Sequence, residues 1–225
     1  MPTLPSTSCV RSRRLWLAGL LAATLAACTT DTYQSGDGRY SYLRADFGLV
    51  HTADSVRADW LLTDGGDSVR FASPVRVGWA AKADTFYRAL VYYDSQARTV
   101  FSATPVVVAE PLPKKTAGSL PDDPLTIESL WVGGGFLNIG FALKTGRAEG
   151  LDARQQLGLV LDTVTVSADG HRYVTLLLTH AQNGVPQYYT TRGYMSMPVD
   201  KGLRACTVRL SANTYAGRKT YTVEL

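Results

Sequence analysis

From residue 39 onward, side chains alternate between apolar and polar with a period of two, a pattern that strands bury on one face and helices cannot. Val56, Ala58, Trp60 and Leu62 alternate with Arg57, Asp59 and Leu61. Val75, Val77 and Trp79 alternate with Arg76 and Gly78, and Tyr87 to Tyr93 and Thr99 to Val108 are rich in β-branched and aromatic residues. Turn chemistry separates these runs. Asp64-Gly65-Gly66-Asp67 is a hairpin signal, and Asp94-Ser95-Gln96 marks a second turn. Helical signals are weak, and the best of them, Glu149 to Leu157, is interrupted by Gly150. The chain is predicted to be all-β.

Five short strands fit between residues 39 and 109, which suits a small five-stranded OB-like barrel. Pro111, Pro113, Pro121 and Pro124 then break the pattern, and residues 110–124 read as a proline-rich linker. Residues 125–225 alternate again. Leu137, Ile139, Phe141 and Leu143 line one face of a strand, and Asn138, Gly140 and Ala142 the other. Leu157 to Val166 pairs with Arg172 to His180 across Ser167–Gly170, and Leu203 to Leu210 with Lys219 to Leu225 around Asn213–Gly217. Strands about ten residues apart with turns between them predict a β-sandwich.

The N-terminus carries an address. Arg11, Arg13 and Arg14 precede an apolar run of about 12 residues, Leu15 to Ala26, long enough for a signal segment and short of the roughly 20 needed to span a bilayer. Leu25-Ala26-Ala27-Cys28 then resembles the lipobox of bacterial lipoproteins. It predicts a signal peptide over residues 1–27, lipidation at Cys28 and a polar tether over 28–38. The competing reading is an ordinary secretory signal followed by a chance cysteine. Cleavage removes three arginines and no acid, which leaves 20 basic against 19 acidic residues. The basic balance of the whole chain therefore belongs to the leader and does not argue for nucleic acid.

The run Leu125-Thr-Ile-Glu-Ser-Leu-Trp131-Val-Gly133-Gly134-Gly135-Phe136-Leu-Asn138-Ile resembles the hallmark of the NigD-like lipoproteins of Bacteroidota. The order of segments matches as well: leader, lipobox, five-stranded domain, proline segment, hallmark strand, sandwich. The resemblance implies an N-terminal OB-like domain, a C-terminal β-sandwich and an outer-membrane lipoprotein. It also implies a bacteriocin-immunity type of role, and it assigns no catalytic residues. Read physically, the hallmark is architecture. Gly133, Gly134 and Gly135 permit a positive φ or a close backbone approach, Trp131 supplies a large ring, and Asn138 is placed to bond a turn. A phosphate cradle is the sharper reading of three glycines, but no Lys-Ser/Thr follows and no helix opens there.

Chemistry-bearing residues are sparse. His51, His171 and His180 show no metal-ligand spacing, so no metal or cofactor is expected. Cys206 keeps register with Val208 and Leu210 and is predicted in the core rather than as a nucleophile. No Gly-x-Ser-x-Gly elbow is present, and nothing singles out a carboxylate pair among four glutamates and the turn aspartates. Trp60, Trp79, Tyr87, Tyr92 and Tyr93, with Arg57, Arg76 and Arg88, match a base-stacking face in kind; the plainer expectation is a barrel core with solvated charges outside. The sequence thus predicts a non-enzymatic envelope protein, held on the membrane by lipid, that binds another envelope protein or a peptide toxin. A glycan- or peptide-binding accessory protein is the alternative, to be favoured by exposed aromatics, and a hydrolase is the remote one.

Overall fold

The computed structural model describes residues 38, 40–150, 152–199 and 205–225. The leader, Cys28 and all of the tether except Gly38 lie outside the described residues. Every regular element among those described is a strand, and Tyr42–Leu225 form one compact unit. The chain is all-β, as its period requires.

The first sheet contains β1 (Leu43–Asp54), β2 (Arg57–Thr63), β3 (Ser68–Arg76), β4 (Thr85–Asp94) and β5 (Val100–Pro105), in the order β3-β2-β1-β4-β5. It curls into a half-barrel, and Ala72 N, on one edge strand, donates to Arg98 O beside the other at 3.0 Å. Val50, Ala58, Leu61, Phe71, Val91 and Tyr93 fill its concave side. The Tyr93 hydroxyl donates to Asp46 Oδ2 at 2.7 Å. Burial, with that carboxylate beside it, pushes the phenol up to about 12.

Strict alternation fails in β2. His51 pairs with Trp60 while the next residue, Thr52, pairs with Ala58, so Asp59 is an extra residue, a β-bulge. The bulge shifts the phase by one. Ala58 and Leu61 both face the core, and Trp60 moves to the outer face against His51 and Phe86. The alternating set Val56, Ala58, Trp60 and Leu62 therefore does not share one face. Two other predicted strands end early. β3 stops at Arg76, leaving Val77 and Trp79 in the following turn, where Trp79 Nε1 donates to Ala103 O at 3.0 Å. The Thr99–Val108 run divides after Pro105: Val106 N still donates to Arg88 O at 2.9 Å, and Val107–Val108 then pair in another sheet.

After Pro105 come β6 (Val107–Val108), β7 (Leu112–Pro113), β8 (Thr126–Gly133), β9 (Phe136–Thr145) and β10 (Gln156–Val166). They are followed by β11 (Arg172–Ala181), β12 (Tyr189–Pro198), β13 (Cys206–Thr214) and β14 (Gly217–Glu224). Two sheets result, β14-β13-β11-β10-β7 and β6-β12-β9-β8. Leu137, Ile139, Leu176, Met195, Met197 and Leu210 are fully buried in the core of this part of the molecule, and Cys206 lies there with them. Burial raises the Cys206 thiol above its ordinary range, which suits a core residue.

The proline segment takes part in the sheets. Leu112–Pro113 pairs parallel with β10 at the sheet edge, the place where proline's missing donor does least harm, and Pro121 O accepts from His180 N. The weak helical signal at 149–157 is not realised. Glu149-Gly150 is a turn, 152–155 have no regular structure and β10 starts at Gln156. Gly150 sits at φ +75°, outside the helical region.

Candidate functional site

β9 is buried on both faces along most of its length. Leu137, Ile139, Phe141 and Leu143 belong to one hydrophobic core, as the alternation requires. Asn138 points the other way and is also fully buried, so its amide needs partners inside the protein. Its Oδ1 accepts from Ser196 Oγ at 2.7 Å, on the paired strand β12, and from Arg88 Nη2 at 2.9 Å, on β4 of the curled sheet. Arg88 Nε donates to Ser196 Oγ at 3.2 Å. The guanidinium grips Asp64 with both terminal nitrogens, Nη2 to Oδ2 at 2.6 Å and Nη1 to Oδ1. Phe136 lies under it, with Cζ 4.5 Å from the ring centroid. A cation removed from water in this way is tolerable only when nearly every donor is used and a carboxylate faces it, and both conditions hold.

The glycines explain how the two parts come so close. Gly134 and Gly135 form the β8–β9 turn at φ +60° and +81°, the pair of positive values that a two-residue hairpin of this twist demands. That turn presses onto Asp64 in the β2–β3 turn. A Cβ on Gly134 would stand 2.1 Å from Asp64 Oδ1, and one on Gly133 3.0 Å from Asp64 Oδ2. Trp131 is half-buried and meets Phe47 of β1 edge-on at 5.2 Å, with Tyr194 of β12 at 6.3 Å. Trp131, Gly133, Gly134, Phe136 and Asn138 therefore join in one contact, which fastens the β8–β9 hairpin to the curled sheet. Sequence reasoning missed its centre: Arg88, expected among solvated charges, is buried. The one available signal was a cation inside the apolar run Tyr87 to Tyr93. The turn at Asp64 was legible, its partner was not.

The histidines stay apart. His51 Nδ1 contacts Asp59 Oδ1 at 2.6 Å and Nε2 contacts Asp84 Oδ1 at 3.1 Å. Two carboxylates, each facing one ring nitrogen, require both nitrogens to carry hydrogen, so the geometry selects the imidazolium. Hydrogen bonds to Asp59 and then Asp84 raise the pKa of His51, with burial opposing. A pKa raised in the folded state contributes stability that is fully present below the unfolded value of about 6.5 and is lost as pH rises through the folded value. The stability difference between wild type and His51→Gln is therefore expected to shrink as pH is raised from 6 through 8. Urea unfolding at several pH values checks this, and a difference that grows with pH would contradict it.

His171 Nε2 lies 2.6 Å from Thr207 Oγ1, and Thr207 Oγ1 lies 2.8 Å from Glu224 Oε1, a grouping that resembles a nucleophile with its base. The hydroxyl has one proton, and the carboxylate can only accept it. His171 Nε2 must then donate to Thr207, so the imidazole cannot take the proton a nucleophile would have to lose. His180 is buried in β11 with Nδ1 3.3 Å from Asp123 O. Among the described residues no three His, Cys, Asp or Glu side chains cluster as metal ligands.

Clefts open on the surface among the described residues, and two bear on binding. One of about 450 Å³ is lined by Gly146, Arg147, Asp152, Arg154 and Pro186, with the Tyr188 ring against Gly146. Tyr188 and its neighbour Tyr189 are 72% and 56% exposed. The other, of about 400 Å³, runs between Leu43, Tyr92, Tyr93 and Phe101 on the curled sheet.

Together these features define a class: an all-β protein in which a curled five-stranded sheet is latched to a β-sandwich through a glycine hairpin and a buried arginine. The chain belongs to the NigD-like family. The family model for the NigD-like C-terminal beta sandwich domain matches residues 108–225, so the proline segment falls within the matched region. Among solved structures the chain is similar to a NigD-like immunity protein from Bacteroides caccae, with 25% identity and a TM-score of 0.62, covering 80% of this chain and 91% of that one. A toxin-related protein from Parabacteroides distasonis shares the fold at 19% identity and a TM-score of 0.58, covering 80% and 92%. A protein of unknown function from Bacteroides vulgatus does so at 20% and 0.57, covering 81% and 90%. None of the curated proteins matches the chain.

Proposed function

We propose that this chain is a lipid-anchored outer-membrane protein that acts by binding and protects the cell in the manner of a bacteriocin-immunity protein. The observation that carries the reading is the likeness, over 80% of the chain, to a structure described as a NigD-like immunity protein. The lipobox Leu25-Ala26-Ala27-Cys28 supports the anchor. An anchor raises the effective concentration toward anything on the same surface, so a modest interface suffices. The partner is then an envelope protein or an incoming peptide toxin. Deleting the gene is expected to sensitise cells to at least one related bacteriocin producer. The wild-type gene is expected to restore resistance, and Cys28→Ala to abolish both the acyl mass of the protein and the restoration. Unchanged sensitivity across the panel would count against protection, and turnover of a substrate that tracked one residue would overturn binding as the mode of action.

The second reading, an accessory glycan binder, is favoured by one observation. Tyr188 stands exposed beside the cleft that holds Arg147 and Arg154, where its ring can stack on sugars and the cations can meet carboxylate or phosphate groups. Copurified glycan lost in Tyr188→Ala, with sensitivity unchanged on deletion, would decide for it.

A further inference from the structure

We infer that the apolar cleft on the curled sheet is a membrane-facing surface, which rests the sheet against the bilayer that holds the anchor. The inference rests on lipidation at Cys28. Leu43, Tyr92 and Phe101 are 42%, 47% and 62% exposed and line one cleft with Arg44, Tyr93 and Ser102. Three large apolar side chains clustered in this way are not the scattered exposure that any surface shows. They come from three adjacent strands, β1, β4 and β5, which hold the cleft in fixed shape.

The chemistry of the lining selects the occupant. The walls are almost wholly apolar, with only Ser102, the Tyr92 phenol and Arg44 to offer polar groups, because the Tyr93 hydroxyl is given to Asp46. A sugar needs several converging donors and acceptors, and the lining does not supply them. A bilayer interface asks for this mixture: an apolar ring to enter, a tyrosine (Tyr92) whose hydroxyl can stay at headgroup level, and an arginine beside them. Chain length places the bilayer within reach. Leu43 follows Cys28 by 15 residues, and a chain spans at most about 3.6 Å per residue, so the cleft cannot lie more than about 54 Å from the lipid. The cleft begins at Leu43, the first strand residue among those described, so an anchored chain keeps the bilayer within reach of it.

The test uses the lipidated chain in vesicles of phosphatidylethanolamine and phosphatidylglycerol (3:1 by mole). An environment-sensitive fluorophore is placed at Ser102→Cys, beside the cleft, or at Val166→Cys, an exposed position near the β10–β11 turn, each with Cys206→Ala. Nitroxide-bearing lipid reports proximity. The expected result is a blue shift and strong quenching at 102, with neither at 166. Adding Tyr92→Ser and Phe101→Ser should abolish both signals while the protein still floats with the vesicles and melts at the same temperature. Flotation with equal quenching at 102 and 166 would overturn the docking and leave the anchor standing. A blue shift at 102 without quenching would show a protein surface, a second copy included, in the cleft, and would also overturn it. A chain that fails to float would remove the anchor and the inference with it.

Discussion

Arg88→Ala is expected to destabilise the fold by about 3–5 kcal/mol, the cost typical of removing one partner from a buried ion pair. The loss has three parts. Asp64 would keep a carboxylate under the β8–β9 turn with no cation facing it. Asn138 Oδ1 would lose one of its two donors, and Ser196 Oγ the donor Arg88 Nε. The guanidinium over Phe136 would leave a hole. These parts share atoms and will not add, so the double variant Arg88→Ala, Asp64→Ala should cost less than the sum of the singles. Arg88→Lys should recover only a fraction, because an ammonium cannot fork onto Asp64 while also reaching Asn138 and Ser196. Urea unfolding measures all four proteins. A value for Arg88→Ala within about 0.5 kcal/mol of wild type, the range of ordinary surface changes, would show that the latch carries little of the stability.

Gly134→Ala should be the next most damaging single change, at about 2–4 kcal/mol, by backbone strain together with overpacking. An alanine there must hold a φ near +60°, and its Cβ would stand 2.1 Å from Asp64 Oδ1 and 3.2 Å from Asp64 Cα. The clash can be relieved only by moving Asp64, which breaks its grip on Arg88. In an Asp64→Gly background the added cost of Gly134→Ala should fall to the strain alone, about 1–2 kcal/mol. Gly135→Ala is the internal control, since its Cβ would meet nothing within 4 Å. It should show the φ cost and no coupling to Asp64. Equal coupling for both glycines would place the contact elsewhere.

The β8–β9 hairpin shows how far the sequence can be read. Alternation along Leu137, Ile139, Phe141 and Leu143 identified the core face of β9 correctly, and the glycine run marked the turn before it. Nothing in that stretch says that the opposite face is also covered. Asn138 looks like a residue for solvent or a turn, because its partners lie 50 residues away at Arg88 and 58 away at Ser196. The phase of β2 was lost for a related reason: the extra residue Asp59 is visible only against the partner strand that it fails to match.

What the sequence determined by itself is local: strands through their period of two, turns through Gly and Asp, the order of segments, and the burial of Cys206 through its register. The tertiary structure alone decided the strand order, the bulge and the fate of Arg88. Periodicity states which side chains share a face and is silent on what that face meets. A charged side chain is buried or solvated according to whether partners converge on it, and the partners of Arg88 are brought there by chain segments 24 to 108 residues distant.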